Sequence, residues 1–293
     1  MKHLLIIGAM KCGTTTLFNL LRQHPAIAPS DPKEPGFFAF DDAYAKGMDW
    51  YRGLFDADAE RTAYLLDGST DYSKSPHFSA APDRIRVAGE ARLIYLMRHP
   101  LKRIESHAQH VAIAQMELER IPMSPPYRGL DDGLTPAALD ITRYAYQLDQ
   151  FKDYFDAGRL FLSTLEELSA DPQGVSRRVF EFLELDPINV EFSTDMSNRR
   201  KGARRTKDTH PVWAALSAVG PLKSAAKGLV PAAARRRLQR ATAPKEKLTG
   251  RFDLTEEERA DIMRALNDDL DRLKSVYGFD PGAAWDLSAY RPS

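Results

Sequence analysis

The opening of the chain constrains its fold more than any other stretch. Leu4-Leu5-Ile6-Ile7 is an unbroken apolar run ending at Gly8, and Thr14 to His24 follows with Leu17, Leu20 and Leu21 at helical spacing. A short continuous apolar run fits a strand buried on both faces, as in parallel sheets, whereas the leucine spacing fits one face of a helix. Strand, glycine-bearing loop and helix in that order open a βα unit. The alternation continues: Tyr64-Leu65-Leu66, Arg92 to Met97 and Arg159 to Ser163 read as further strands. Helices are expected over Asp83 to Ala88, Leu101 to Met116, Ala137 to Phe155 and Gln173 to Leu183. This predicts an α/β fold with a central parallel sheet flanked by helices in three layers. Thr255-Glu256-Glu257-Glu258 has the form of a capping box, so a last helix is expected from there to Tyr277, stopped by Gly278.

The loop itself is Gly8-Ala9-Met10-Lys11-Cys12-Gly13-Thr14-Thr15-Thr16. Its place between a strand and a helix is what a phosphate-binding loop requires. Glycines let backbone N–H groups converge on an anion, and the helix N-terminus adds unpaired donors and positive dipole. The threonine hydroxyls add donors and Lys11 adds charge. The loop is P-loop-like but departs from the nucleoside-triphosphatase pattern, which places lysine after the second glycine; here Thr14 follows Gly13 and the lysine comes earlier. A second anion element is expected at Arg98, which follows the buried strand expected over Arg92 to Met97, because ligands of open α/β sheets gather at that edge. Its guanidinium can clamp a phosphate bidentately, and Ser106, about two turns into the next helix, can donate one more hydrogen bond.

Composition narrows the function classes. Across 293 residues the formal net charge is zero, which argues against a nucleic-acid partner. The single cysteine, Cys12, can form neither an internal disulfide nor by itself a zinc site, so no metal is expected and a reducing compartment fits. No opening signal and no apolar run of bilayer length is present in the sequence, from which a cytoplasmic protein is expected. From Met196 the composition becomes basic, with Arg199, Arg200, Lys201, Arg204, Arg205 and Lys207 clustered. The span 213–240 can form an amphipathic basic helix pair that rests on anionic lipid or packs on its own domain. The chain is read as one domain, 1–293, with a core over about 1–205 and a helical C-terminal extension over 206–293 holding the basic segment and the last helix.

Several segments together resemble the sulfotransferases that use 3′-phosphoadenosine 5′-phosphosulfate. Lys11-Cys12-Gly13-Thr14-Thr15-Thr16 is similar to their 5′-phosphosulfate loop, and Lys33-Glu34-Pro35-Gly36-Phe37-Phe38 to the Lys-Glu-x-x-Phe-Phe segment of the heparan-sulfate and Golgi-type branch. Arg92 to Ser106 resembles the family's 3′-phosphate element, and Arg200-Lys201-Gly202 the Arg-Lys-Gly that closes over the donor. The resemblance covers roughly 3–205. It implies that Lys11 stabilises the leaving phosphate oxygen, that the loop through Thr16 cradles the 5′-phosphate, and that Arg98 and Ser106 hold the 3′-phosphate. It implies Glu34 as the base, with Lys33 and Phe37 on the substrate side.

The chain also departs from the family. Gly36 stands where some relatives carry a histidine, and Ser69-Thr70-Asp71 stands where the cytosolic branch has Lys-Thr-His, which leaves Asp71 as the second candidate base. His77, His99 and His107 lie near motifs but off these positions. A donor with anions at both ends suits two anion elements on one sheet edge. The reading is therefore sulfuryl transfer to a hydroxyl or amine of a small-molecule, carbohydrate or lipid acceptor. Its rivals are a phosphoryl transferase on the same fold and a nucleotide-binding scaffold or peripheral membrane protein without catalysis. Trp50, Tyr51 and Tyr127 can stack on a sugar or aromatic ring, and neither the acceptor's identity nor an oligomeric state is written in the sequence.

Overall fold

Five parallel strands pair in the order β2-β3-β1-β4-β5. They are β1 Lys2–Gly8, β2 Ile27–Pro29, β3 Tyr64–Asp67, β4 Ala91–Met97 and β5 Leu160–Thr164. The computed structural model describes residues 1–119, 135–192 and 253–290, and all of these belong to one unit, Met1–Phe192 with Arg251–Ser293. β1 lies at the centre, and Leu4, Leu5, Ile6 and Ile7 are all fully buried. A strand covered on both faces has no solvent side to furnish with polar residues, hence its unbroken apolar run. β2 was not among the expected strands. It has only three residues and ends in Pro29, which cannot donate to a ladder and is tolerated because β2 is the edge strand.

Among the described residues the helices are α1 Thr14–Leu21, α2 Asp41–Tyr44, α3 Gly47–Arg52, α4 Ala81–Val87, α5 Pro100–Glu119, α6 Thr135–Thr142, α7 Tyr144–Asp149, α8 Lys152–Asp156, α9 Leu165–Ala170, α10 Pro172–Phe182, α11 Glu256–Tyr277 and α12 Pro281–Ala284. A short 3₁₀ turn covers Thr70–Ser73. No described helix is long and apolar enough to cross a membrane. α11 begins and ends as its sequence dictates: the Thr255–Glu258 capping box is formed and Gly278 closes the helix at φ 67°. The single helix expected over Ala137 to Phe155 is instead three short ones. The cause is Asp269 on α11, whose two carboxylate oxygens accept the N–H groups of Ala145 at 3.0 Å and Tyr146 at 2.8 Å. These are first-turn amides of α7, so a carboxylate distant in sequence caps a new helix there.

The strand order fixes where a ligand can sit. From β1 the chain moves to β2 and β3 on one side, and from β4 it moves to β5 on the other. β1 and β4 are neighbours, so the topological switch point lies between their carboxyl ends, where open α/β sheets take their ligands. Gly8 and Arg98 leave the sheet at those two ends.

Candidate functional site

Gly8 ends β1 where no side chain fits: a Cβ there would lie 2.2 Å from Ser73 Oγ and 2.6 Å from the Tyr95 ring. Ser73 Oγ in turn donates to Ile7 O at 2.6 Å. The loop then turns through two left-handed residues, Lys11 at φ 73° and Gly13 at φ 87°. Gly13 is the N-cap of α1 and offers no side-chain acceptor to that helix. The first-turn donors of α1 thus have no capping side chain, the arrangement that suits an anion. Thr14 is buried, Thr16 half-buried and Thr15 exposed. Cys12 turns inward. Its Sγ lies 3.9 Å from Tyr144 Oη, burial pushes the thiol up to about 12, and its N–H is bonded to Ala9 O at 3.2 Å. Cys12 therefore shapes the loop from the core side.

The second anion element stands beside the first. Arg98 Nη1 donates to Lys11 O at 3.4 Å, and Ala9 N donates to Leu96 O at 2.7 Å, tying the loop to the end of β4. Tyr144 Oη donates to Arg98 O at 2.7 Å and accepts from Arg98 N at 3.3 Å, which fixes the backbone from which the guanidinium extends. Ser106 is half-buried on α5. Glu166 of α9 braces the same corner: Oε1 accepts His99 N–H at 3.1 Å and Oε2 accepts the Trp285 indole N–H at 3.2 Å.

Of three basic residues near the loop, Arg103 and Lys74 were missed in the sequence, and His107 was noted there without a role. Arg103 is completely buried, His107 is nearly so, and Lys74 is largely covered. Arg103 Nη1 lies 3.4 Å from both Met10 O and His107 Nδ1. Burial first, then the charges of Arg103, Lys74, His110 and Lys11, holds His107 down at about 3. The imidazole is thus neutral at ordinary pH, with Nδ1 accepting from the guanidinium. The available signal was spacing: Arg103 precedes Ser106 by three residues and His107 by four, so the three share one face of α5.

On the other side of β1, the Lys33–Phe38 segment packs over the end of β3. Lys33 Nζ bonds Glu34 Oε1 at 2.5 Å and Gly68 O at 3.2 Å, and it sits 5.6 Å from the centre of the Phe18 ring on α1. Glu34 keeps 44% of its side chain exposed, which leaves this candidate base open to solvent. Asp71 pairs with Lys74 at 2.5 Å. Both candidate bases therefore have a lysine partner.

Beneath this segment lies a buried carboxylate. Asp67 accepts from Ser69 N at 2.9 Å, Ser69 Oγ at 2.6 Å, Tyr72 Oη at 2.6 Å and Tyr51 Oη at 3.0 Å. The Ser69 and Tyr72 hydroxyls in turn accept the N–H groups of Gly36 at 2.9 Å and Phe38 at 3.4 Å. Burial pushes the Asp67 carboxyl above its ordinary range, against the opposing pull of these hydrogen bonds. The expectation for Phe37 is corrected here: its side chain is fully buried and stacks on Tyr51 with ring centres 4.5 Å apart, so it anchors the segment and presents no face to an acceptor. Tyr51 is likewise fully buried, whereas Trp50 is partly exposed with Lys46 Nζ 4.3 Å from its ring centre. Arg200, Lys201, Gly202, Tyr127 and the span 213–240 lie outside the described residues.

Comparison with known proteins agrees with this geometry. The family model described as "Sulfotransferase domain" matches residues 1–203. Mouse heparan sulfate glucosamine 3-O-sulfotransferase 6 is 35% identical over 196 residues, covering 63% of this chain and 52% of its own length. Mouse heparan sulfate glucosamine 3-O-sulfotransferase 3A1 is 32% identical over 191 residues, covering 63% and 46%. The chain thus spans about half the length of these curated relatives. A solved sulfotransferase from Alicyclobacillus acidocaldarius superposes with a TM-score of 0.64 over 97% of this chain and 98% of its own, at 19% identity, a likeness of fold. With the family model spanning the sheet, the phosphate loop, the Lys33–Phe38 segment and the Arg98 corner, the chain belongs to the sulfotransferase family.

Proposed function

We propose that the protein transfers a sulfuryl group from 3′-phosphoadenosine 5′-phosphosulfate to a hydroxyl or amine of a carbohydrate acceptor. The observation that carries the reading is the contact of Arg98 with the Lys11 carbonyl at the β1–β4 switch point, which joins two anion elements into one site. The residues present fit such a donor: an uncapped helix start, a lysine in the loop and an arginine at the next strand end. The carbohydrate acceptor is supported by the relatives, which are named for heparan sulfate.

The donor supplies an activated sulfuryl group on its 5′-phosphate. In an in-line displacement the acceptor oxygen or nitrogen forms a bond to sulfur as the bond from sulfur to the phosphate oxygen breaks. The acceptor's proton passes to Glu34, and the departing phosphate keeps the electron pair. Lys11 and the first-turn amides of α1 hold the negative charge that builds on that phosphate. Arg98, with Ser106, holds the 3′-phosphate at the far end. Lys33, fixed between Glu34 and Gly68 O, keeps the Glu34 carboxylate oriented until an acceptor arrives.

The test is calorimetric titration with adenosine 3′,5′-bisphosphate, with ADP as control, followed by transfer of labelled sulfuryl to N-sulfated heparan fragments. Binding that requires the 3′-phosphate, together with labelled glycan, supports the reading. Equal binding of ADP, or none of either ligand, removes it.

A further inference from the structure

Arg103 has no place in the roles above, yet it is the largest fully buried side chain among the described residues. Its hydrogen bonds run to neutral groups: Thr142 Oγ1 at 2.9 Å, Ala138 O at 2.7 Å, Met10 O at 3.4 Å and His107 Nδ1 at 3.4 Å. Among the described residues no carboxylate pairs with it, whereas three less buried arginines, Arg84, Arg92 and Arg259, each have one. A charge taken out of water without a counter-ion is costly, and an anion bound nearby offsets that cost.

The position of the charge says what that partner is. Arg103 lies directly under the phosphate loop and holds the Met10 carbonyl inward. Because a trans peptide sets its C=O and N–H in opposite directions, a Met10 carbonyl turned toward Arg103 turns the Lys11 N–H to the opposite face of the loop. Lys11 then adopts φ 73°, a conformation that a lysine seldom holds unless its surroundings impose it. Arg98, 3.4 Å from the next carbonyl, holds the Lys11 C=O from the β4 side, while the following N–H of Cys12 stays within the loop on Ala9 O. The two arginines grip consecutive carbonyls of one loop.

We infer that Arg103 is a positioning residue for the donor's 5′-phosphosulfate: it aims the Lys11 amide and keeps beneath the loop a positive charge whose counter-ion is the bound donor. The inference rests on the proposed donor class and deepens it by assigning a residue to the 5′ end. Donor binding then relieves an electrostatic cost built into the empty protein, so the ligand stabilises the fold through Arg103 as well as through its direct contacts.

The test compares R103Q and R103K with the unmodified protein, using adenosine 3′,5′-bisphosphate and adenosine 3′-phosphate. R103Q keeps donors but loses the charge, and R103K keeps the charge. The expected result is a loss of roughly tenfold or more for the bisphosphate in R103Q, near-normal affinity in R103K, and little change for the 3′-phosphate in either. Equal bisphosphate affinity in R103Q and the unmodified protein overturns the inference, as does an equal loss in R103Q and R103K. Should R103Q fail to fold, the unmodified protein still decides: the Lys11 amide proton should shift downfield on adding the bisphosphate, and an unmoved Lys11 resonance overturns the assignment. Absence of bisphosphate binding by the unmodified protein would instead strike the donor class itself.

Discussion

Ser69 Oγ lies 2.6 Å from Asp67 Oδ1 and 2.9 Å from Gly36 N, so one hydroxyl donates to a buried carboxylate and accepts from the segment that carries Glu34. S69A leaves both partners short of a hydrogen bond in a dry environment, at a cost of about 1–3 kcal/mol. Urea unfolding should show that loss. Turnover should fall as Glu34 loses its fixed bearing, while calorimetric affinity for adenosine 3′,5′-bisphosphate stays close to that of the unmodified protein.

The two candidate bases separate by substitution. E34Q keeps the shape and removes the proton acceptor, so kcat should fall by roughly 10²–10⁴ with donor affinity retained. D71N, which breaks the Asp71–Lys74 pair, should cost far less. A larger loss in D71N than in E34Q, measured as initial rates of sulfuryl transfer, would move the base to Asp71.

R98A should erase the preference for a 3′-phosphate. A charged hydrogen-bonding group of this kind is worth about 1.5–3 kcal/mol, or roughly 10- to 100-fold in affinity. Adenosine 3′,5′-bisphosphate should then bind no better than AMP, which titration of both ligands would reveal.

G13A tests the loop's geometry. Gly13 sits at φ 87° and a Cβ would meet Leu165 Cδ1 at 2.7 Å. The left-handed conformation alone costs an alanine about 1–2 kcal/mol, and Leu165 must also move. Lower thermal stability and weaker bisphosphate binding are expected together, since the same residue begins α1.

Stability should decline in mild acid, and His107 should account for part of it. In the unfolded chain the imidazole takes its proton at about pH 6.5, whereas in the fold it does so only at about 3. The unfolded state therefore binds more protons across that window, and stability is present above about pH 6.5 and lost as pH falls toward 3. His3, held down to about 4 mainly by burial, acts in the same direction. H107Q should shallow the slope of unfolding free energy against pH by nearly one proton, read from urea midpoints between pH 7 and 4.

What the sequence disclosed was local. The apolar run of β1, the glycine loop, the α11 capping box and its Gly278 stop each involve residues within a few positions of one another, and each formed as expected. What it concealed was set by distant partners. The break between α6 and α7 comes from Asp269, and Phe37 is buried because Tyr51 and Tyr72 close over its segment. Arg103 on a helix otherwise suggests a solvated face, and only the acceptors at Ala138, Thr142 and Met10 reveal it as interior. The Lys33–Phe38 segment was legible through its motif, whereas the Lys33–Glu34 pair and the Asp67 network beneath the segment needed the fold.

Trp285 reaches Glu166, and Glu166 holds the backbone of His99 next to Arg98. A residue near the far end of the chain thus completes a corner whose other parts are made far earlier. During synthesis the sheet through β5 can assemble as it leaves the ribosome, but the arginine corner lacks its last brace until residue 285 has emerged. The brace of that corner is therefore the last of its parts to be made, after every strand of the sheet.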